Sequence, residues 1–218
     1  MRWWPPDQTP AAGQVRDVNS TALAALARTL GAEPQTFGIA PDDRRVLTRM
    51  VQNALAVSDV LVVSAGSSVS TRDLTAEVLG SLGEPGVLAH GVAVKPGKPT
   101  IIAAAAGKAL FGLPGNPVSA LVIFDLLVAP VIRHLLGMRS DPAVPTVRAK
   151  LARNISSATG RVDYIQARLT EREGEMWAEP VFGKSNLIFT MSRASGMIRV
   201  PLDLAGLREG SWVDVRIF

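Results

Sequence analysis

The 218-residue chain contains no cysteine. Disulfides, zinc–thiolate sites and thiol catalysis are thereby excluded. Histidine is nearly absent: His90 and His134 are the two, far apart in sequence, which argues against a His-rich metal site. Aromatic residues make up 5%, too few for a base-stacking platform, and Lys and Arg are scattered rather than massed, so the chain does not read as a nucleic-acid binder. Long apolar runs are lacking too. The longest, around Val118 to Val131, is interrupted by Asp125 and Pro130 and is expected to be too short for a membrane span. Met1-Arg2-Trp3-Trp4-Pro5-Pro6 breaks before an apolar segment forms, so no secretory signal is expected and a cytoplasmic setting is. What remains is 47% hydrophobic and 19% charged with a net charge of +4. That composition supports a packed core and fits an anionic small-molecule partner.

Periodicity divides the chain. Residues 1–13 read as a linker. Asn19 is expected to cap a helix over about Ser20 to Leu30, with Leu23, Leu26, Ala27 and Leu30 on one face and Gly31 as its stop. Gln35 to Ile39 is a short strand candidate, and Pro41-Asp42-Asp43 opens a second helix with acidic residues where the dipole favours them. Asp59-Val60-Leu61-Val62-Val63-Ser64 is a continuous apolar strand, of the kind buried on both faces of a parallel sheet. A small-residue loop and a third helix near Asp73 to Leu82 follow. Gly86 to Val94 is extended, Lys95-Pro96-Gly97-Lys98-Pro99 turns, and Thr100 to Ala104 and Ala109 to Leu113 form a strand pair. Asn116 and Pro117 start a long helix reaching about Leu136, bent near Pro130 and stopped by Gly137. This order predicts an α/β domain over 14–137, three layers with a mostly parallel sheet flanked by helices. After a linker at 138–145, short strands and turns over 146–218 predict a small all-β barrel-like domain.

Three loops fall after strands of the α/β part, where ligands bind in open α/β sheets. In the first, Gly66, Ser67, Ser68 and Ser70 let backbone amides and hydroxyls approach an anion before a helix start, with the carboxylate of Asp73 beside them. The same string also serves as an ordinary strand–helix connection. In the second, prolines hold the ammonium groups of Lys95 and Lys98 near each other, an arrangement that an oxyanion between them relieves, although Lys-Pro-Gly is also common turn chemistry. The third, Gly112 to Ala120, uses Pro114, Gly115, Asn116 and Pro117 to aim helix amides at one point and adds the Ser119 hydroxyl. It also reads as a well-capped core helix. Asp42 and Asp43 are either caps or a carboxylate source for a hard divalent cation together with Asp73. His90 and His134 take no role, and Trp3, Trp4, Trp177 and Trp212 read as packing or interface residues. The expectation is that these loops converge on one cavity that accepts negative charge.

In the same order along the chain, Pro5 to Pro10, Gly13 to Ser20, Gly38 to Asp43, Ser67 to Ser70 with Asp73, Lys95 to Pro99 and, most sharply, Gly112 to Ala120 resemble the molybdopterin molybdenumtransferase family, the molybdenum-cofactor insertases related to the E domain of gephyrin. Gly160-Arg161 and Gly196 to Pro201 resemble that family's C-terminal domain. The resemblance implies a molybdopterin-binding fold and the insertion of molybdate into adenylylated molybdopterin, with AMP release assisted by Mg2+. It implies that Asp42 and Asp73 stand near molybdate and metal, that Lys95 and Lys98 face oxyanion and phosphates, and that Pro114, Gly115, Asn116, Pro117 and Ser119 shape the pterin-phosphate pocket. Many members carry Gly-Gly-Val-Ser-Val-Gly where this chain has Gly66 to Thr71, and a basic residue where it has Gly91. Family members also carry further N-terminal domains. A homodimer, or a separate chain supplying those domains, is therefore the expected partner. A non-catalytic molybdopterin-binding module and the related adenylyltransferase are the alternative readings; the β-rich tail and the Leu113-to-Ser119 string favour the insertase.

Overall fold

A computed structural model describes residues 2–5, 7–64, 69–140 and 142–218; the side chains of Arg2 and of 69–73 lie outside the description. In chain order the elements are β1 (Arg2–Trp4), β2 (Gln14–Arg16), α1 (Asn19–Thr29), α2 (Arg44–Val57), β3 (Val60–Ser64), α3 (Val69–Gly80), β4 (Pro85–His90), β5 (Val94–Lys95), β6 (Ile101–Ala105), β7 (Lys108–Leu113), α4 (Pro117–Ile123), a π-helical turn (Phe124–Val128), α5 (Ala129–Leu135), β8 (Thr146–Leu151), β9 (Ile155–Ser156), β10 (Val162–Arg172), β11 (Glu175–Pro180), α6 (Phe189–Ser192), β12 (Gly196–Val200), β13 (Gly206–Leu207) and β14 (Trp212–Ile217). They form two compact units, Met1–Val92 with Pro99–Asp141, and Ala93–Lys98 with Pro142–Phe218.

The first unit is built on a four-stranded sheet in the order β3-β7-β6-β4. Its β3–β7 pairing is parallel, and the β7–β6 and β6–β4 pairings are antiparallel. The sheet is therefore mixed rather than mostly parallel, because β6 and β7 join through a two-residue turn at Ala106 and Gly107, both at positive φ. That conformation matches the strand twist and closes a hairpin. Leu47, Val51 and Leu55 of α2 pack with Leu61, Val78, Leu79, Ile101 and Leu110 in one core. The stretch expected as a linker at 1–13 contributes β1, which pairs in parallel with β2.

Local chemistry starts the helices, with two corrections. Asp43 caps α2 by accepting from the Val46 amide at 3.0 Å. At α1 it is Asp17 that accepts from the Ser20 amide, at 3.1 Å, and from the Ser20 hydroxyl. Asn19 is not the cap; it is the first helical residue and its side chain turns inward. At the long helix Asn116 accepts from the Ala120 amide through its carbonyl, and its side chain makes no cap bond. The helix then takes up Pro130 with a π turn in which the Ala129 amide reaches the Phe124 carbonyl. A proline one residue later supplies no amide and crowds the preceding turn, so the wider turn relieves the ladder. The helical run Pro117–Leu135 is 19 residues, long and apolar enough by length and composition to cross a membrane. The sequence reading took this stretch as too short. Half of it is buried within the protein, and apolar core helices meet the same test.

Gln35–Ile39, expected as a strand, forms no ladder among the described residues, although Phe37 and Ile39 are exposed there. Nor is β3 buried on both faces as its sequence predicts. Leu61 alone is buried; Val60, Val62 and Val63 are partly open.

In the second unit the order β11-β8-β14-β12-β10 closes on itself through β11–β10 into a five-stranded barrel, with β5 added to β10. The barrel-like domain expected from the sequence is thus present, with the core formed by residues such as Leu151, Ala167, Ile198, Val200 and Val215. The polar hairpin at 171–175 turns on Glu173 and Gly174, both at positive φ. Its sixth strand was not foreseen. Gly86 to Val94 is expected as an extended segment and Lys95 to Pro99 as a turn, both within the α/β domain, but Val94 and Lys95 pair with Val162 and Asp163.

Candidate functional site

The carboxyl ends of β3 and β7 lie side by side, since Ser64 is in register with Leu113. Each strand end leads toward a helix, α3 and α4. The link between them is Asn19. Its Nδ2 donates to Ser64 Oγ at 2.6 Å and to the Gly115 carbonyl at 3.0 Å. A residue only 2% exposed thereby ties the start of α1 to both strand ends. The remaining polar atom of the amide, Oδ1, is buried and has no hydrogen-bond partner among the described residues.

Around this point the sequence-predicted residues sort as follows. Pro114, Gly115, Pro117 and Ser119 are buried at the end of β7 and the start of α4, and Asn116 is half-buried between them. Gly66, Ser67 and Ser68 lie outside the described residues. Ser70 and Asp73 belong to α3, with side chains outside the description. Of the acidic pair, Asp43 is consumed in capping α2, whereas Asp42 is exposed and lines a cavity together with Asp17, Ser20 and Ser64. Among the described residues no group of three His, Asp or Glu side chains is placed to hold a metal.

Lys95 and Lys98 stand in the second unit, both exposed. Lys95 Nζ is 3.6 Å from Asp163, a fully buried carboxylate that also accepts from Arg161 Nε at 2.8 Å. The structure thus gives Lys95 a protein carboxylate as its partner. The strand ends that precede the first and third loops, Ser64 and Leu113, pair within one unit, and Lys95 and Lys98 belong to the other.

Sequence reasoning missed Asn19 and Ser64. Asn19 reads as a cap because Asp17-Val18-Asn19-Ser20 offers three side chains of capping type. Only the fold shows that Asp17 does the capping and frees Asn19 to point inward. Ser64 reads in the sequence only as the last residue of a strand.

Comparison with known proteins is consistent with this geometry. Residues 7–134 match the family model described as "Probable molybdopterin binding domain", and residues 148–218 match "MoeA C-terminal region (domain IV)". Molybdopterin molybdenumtransferase 1 of Mycobacterium tuberculosis is 36% identical over 216 residues, covering 95% of this chain and 50% of that protein. Molybdopterin molybdenumtransferase of Staphylococcus epidermidis is 30% identical over 205 residues, covering 93% and 48%. Among solved structures, the molybdopterin biosynthesis MoeA protein from Pyrococcus horikoshii superposes with a TM-score of 0.84 at 35% identity, over 99% of this chain and 51% of that one. The chain spans about half the length of the curated relatives it matches. With its first unit matched over most of its length and its second matched separately, the chain belongs to the family of molybdopterin-binding domains of the MoeA type.

Proposed function

We infer that the chain binds molybdopterin at the carboxyl ends of β3 and β7 and serves molybdenum insertion: molybdate joins the dithiolene of adenylylated molybdopterin and AMP is released. The observation that carries this reading is Asn19, whose Nδ2 joins Ser64 to Gly115 and whose buried Oδ1 has no partner among the described residues. A pterin ring carries N–H and amino donors suited to that acceptor. Its phosphate suits the amides of the 112–117 loop at the start of the helix. The names of the relatives, molybdopterin molybdenumtransferases, support the reaction class.

In this reading Gly66, Ser67, Ser68, Ser70, Pro114, Gly115, Asn116, Pro117 and Ser119 shape the anion pocket. Asp42 and Asp73 are the carboxylates near metal and molybdate. Lys95 and Lys98 are read as oxyanion and phosphate contacts. Mg2+ commonly takes one or two carboxylates plus substrate oxygens. Asp42, an exposed carboxylate, fits as one such ligand, with phosphate oxygens completing the shell. When bound, the ion would neutralise charge developing on the phosphoanhydride. The protein's own contribution is positioning and fixed hydrogen-bond donors. A homodimer, or a separate chain supplying further domains, and a cytoplasmic location go with this proposal.

Calorimetric titration of the folded chain with molybdopterin tests it. Binding at micromolar concentration is expected, weakened at least tenfold by Asn19→Ala; heat-silent titration of folded protein would contradict the reading. A second reading is binding without turnover. Molybdate-dependent AMP release by the chain alone eliminates it.

A further inference from the structure

Along β10, Ile165, Ala167 and Leu169 face the barrel core, and strand alternation puts Asp163 on that same face. An acid thus continues an apolar row, and it is fully buried. A buried carboxylate is destabilising unless it is paired and hydrogen-bonded. Two cations meet that need. Arg161 donates from Nε to Oδ1 at 2.8 Å and from Nη2 to Oδ2 at 3.4 Å. Lys95 Nζ stands 3.6 Å from the same Oδ2. The backbone arranges this meeting, because Lys95 and Asp163 are register partners in the parallel β5–β10 pair.

The two cations are not equivalent. Arg161 makes the short, forked contact that balances the carboxylate. Lys95 lies beyond ordinary hydrogen-bond distance, and its side chain is 54% exposed. Two cations around one carboxylate leave one positive charge, and Lys95 is the one that carries it to the surface. A long lysine side chain loses rotamer freedom when it grips a ligand. A fixed acid beside its ammonium reduces that loss. Because Arg161 already balances the acid, the charge of Lys95 stays available.

We propose that Asp163 is a positioning residue: balanced by Arg161, it holds the Lys95 ammonium ready for an oxyanion of the phosphate class. The inference rests on the reading of Lys95 as an oxyanion and phosphate contact. The plainer role for Asp163 is to fasten β5 to β10 and nothing more. The two roles differ in sign. Asp163→Asn keeps the shape of the side chain and an acceptor for Arg161 but removes a negative charge. Charge alone would make an anion bind the variant more tightly. Lost positioning makes it bind more weakly.

The experiment follows acetylation of Lys95 in the full chain by mass spectrometry, with inorganic pyrophosphate as the probe anion and the exposed Lys184 as the reference amine. In the parent, pyrophosphate should slow acetylation of Lys95 and leave Lys184 unchanged. In Asp163→Asn, with circular dichroism like that of the parent, half-protection should need at least fivefold more pyrophosphate. Without pyrophosphate, Lys95 of that variant should react at least threefold faster, a change that fastening of β5 alone does not produce. Should Asp163→Asn not fold, Arg161→Gln carries the test. It leaves Lys95 as the countercharge of Asp163, so Lys95 should react more slowly than in the parent and be protected less by pyrophosphate. Equal or tighter protection in Asp163→Asn, or an unchanged Lys95 rate in whichever variant folds, would overturn the positioning role while leaving Lys95 an anion contact. No protection of Lys95 in the parent would instead remove the reading on which the proposal rests, and the proposal with it.

Discussion

Single side chains decide where the candidate site lies. Asn19 uses both donors of its amide on Ser64 and Gly115, and a buried bond of this kind leaves costly orphans when cut. Asn19→Ala is expected to lower unfolding free energy by about 1–3 kcal/mol, read as a drop in urea midpoint at unchanged slope. Asn19→Asp should be no rescue, because a carboxylate cannot donate to the Gly115 carbonyl; a fully stable Asp variant would show that the two bonds carry little. In the second unit, the Arg168 side chain donates to Glu179 and, with the further charge and hydrogen bond of Arg172, holds its carboxyl below the ordinary 4.5. A depressed carboxylate contributes stability above its unfolded pKa and loses it as pH falls through the folded value. The stability margin of the parent over Glu179→Gln should therefore be constant above about pH 4.5 and shrink as the pH is lowered further. A margin that widens on acidification would contradict the ion pair.

At the scale of elements, close approach of strands sets the strictest demands. A Cβ on Gly196 of β12 would lie 2.1 Å from the Arg216 carbonyl oxygen on β14, a backbone atom that cannot rotate away. Overpacking of this kind costs about 3 kcal/mol, so Gly196→Ala should unfold the barrel in markedly less urea, followed by the fluorescence of Trp177 and Trp212. An unchanged midpoint would mean that β12 and β14 stand farther apart. Most elements were legible in the sequence because their signals are local. Asp43 before Arg44, Pro117 at a helix start and the Glu173-Gly174 turn each act within a few residues. The stretch 35–39 was the exception. Its composition is that of a strand, but a strand is made by its neighbour's hydrogen bonds, and no neighbour stands beside it among the described residues.

For the molecule as a whole, the chain threads its two units more than once. Ala93–Lys98 leaves the first to join the second, where the Val162 amide donates to the Ala93 carbonyl at 2.8 Å and Lys95 meets Asp163. Cutting the chain at a protease site engineered after Ser140 should thus leave two fragments that still elute together in native buffer and separate in urea. Spontaneous separation without denaturant would show that β5 does not hold. This threading is also why the sequence alone does not show that Lys95 and Lys98 group with the second unit. Lys95-Pro96-Gly97-Lys98 is turn chemistry at short range, and nothing local says which sheet its first residues will join.

By itself the amino-acid order determined the helices, most strands, the two-part organisation and the loops at the carboxyl ends of β3 and β7. Those follow from periodicity, capping and turn preferences acting over a few residues. Only the tertiary structure decided that Asn19 faces inward to bind Ser64 and Gly115, that β5 belongs to the barrel, and that an interior-type strand stands at a sheet edge. Each of these depends on which backbone and amide groups meet across long sequence separations, and such pairing is settled by the fold as a whole.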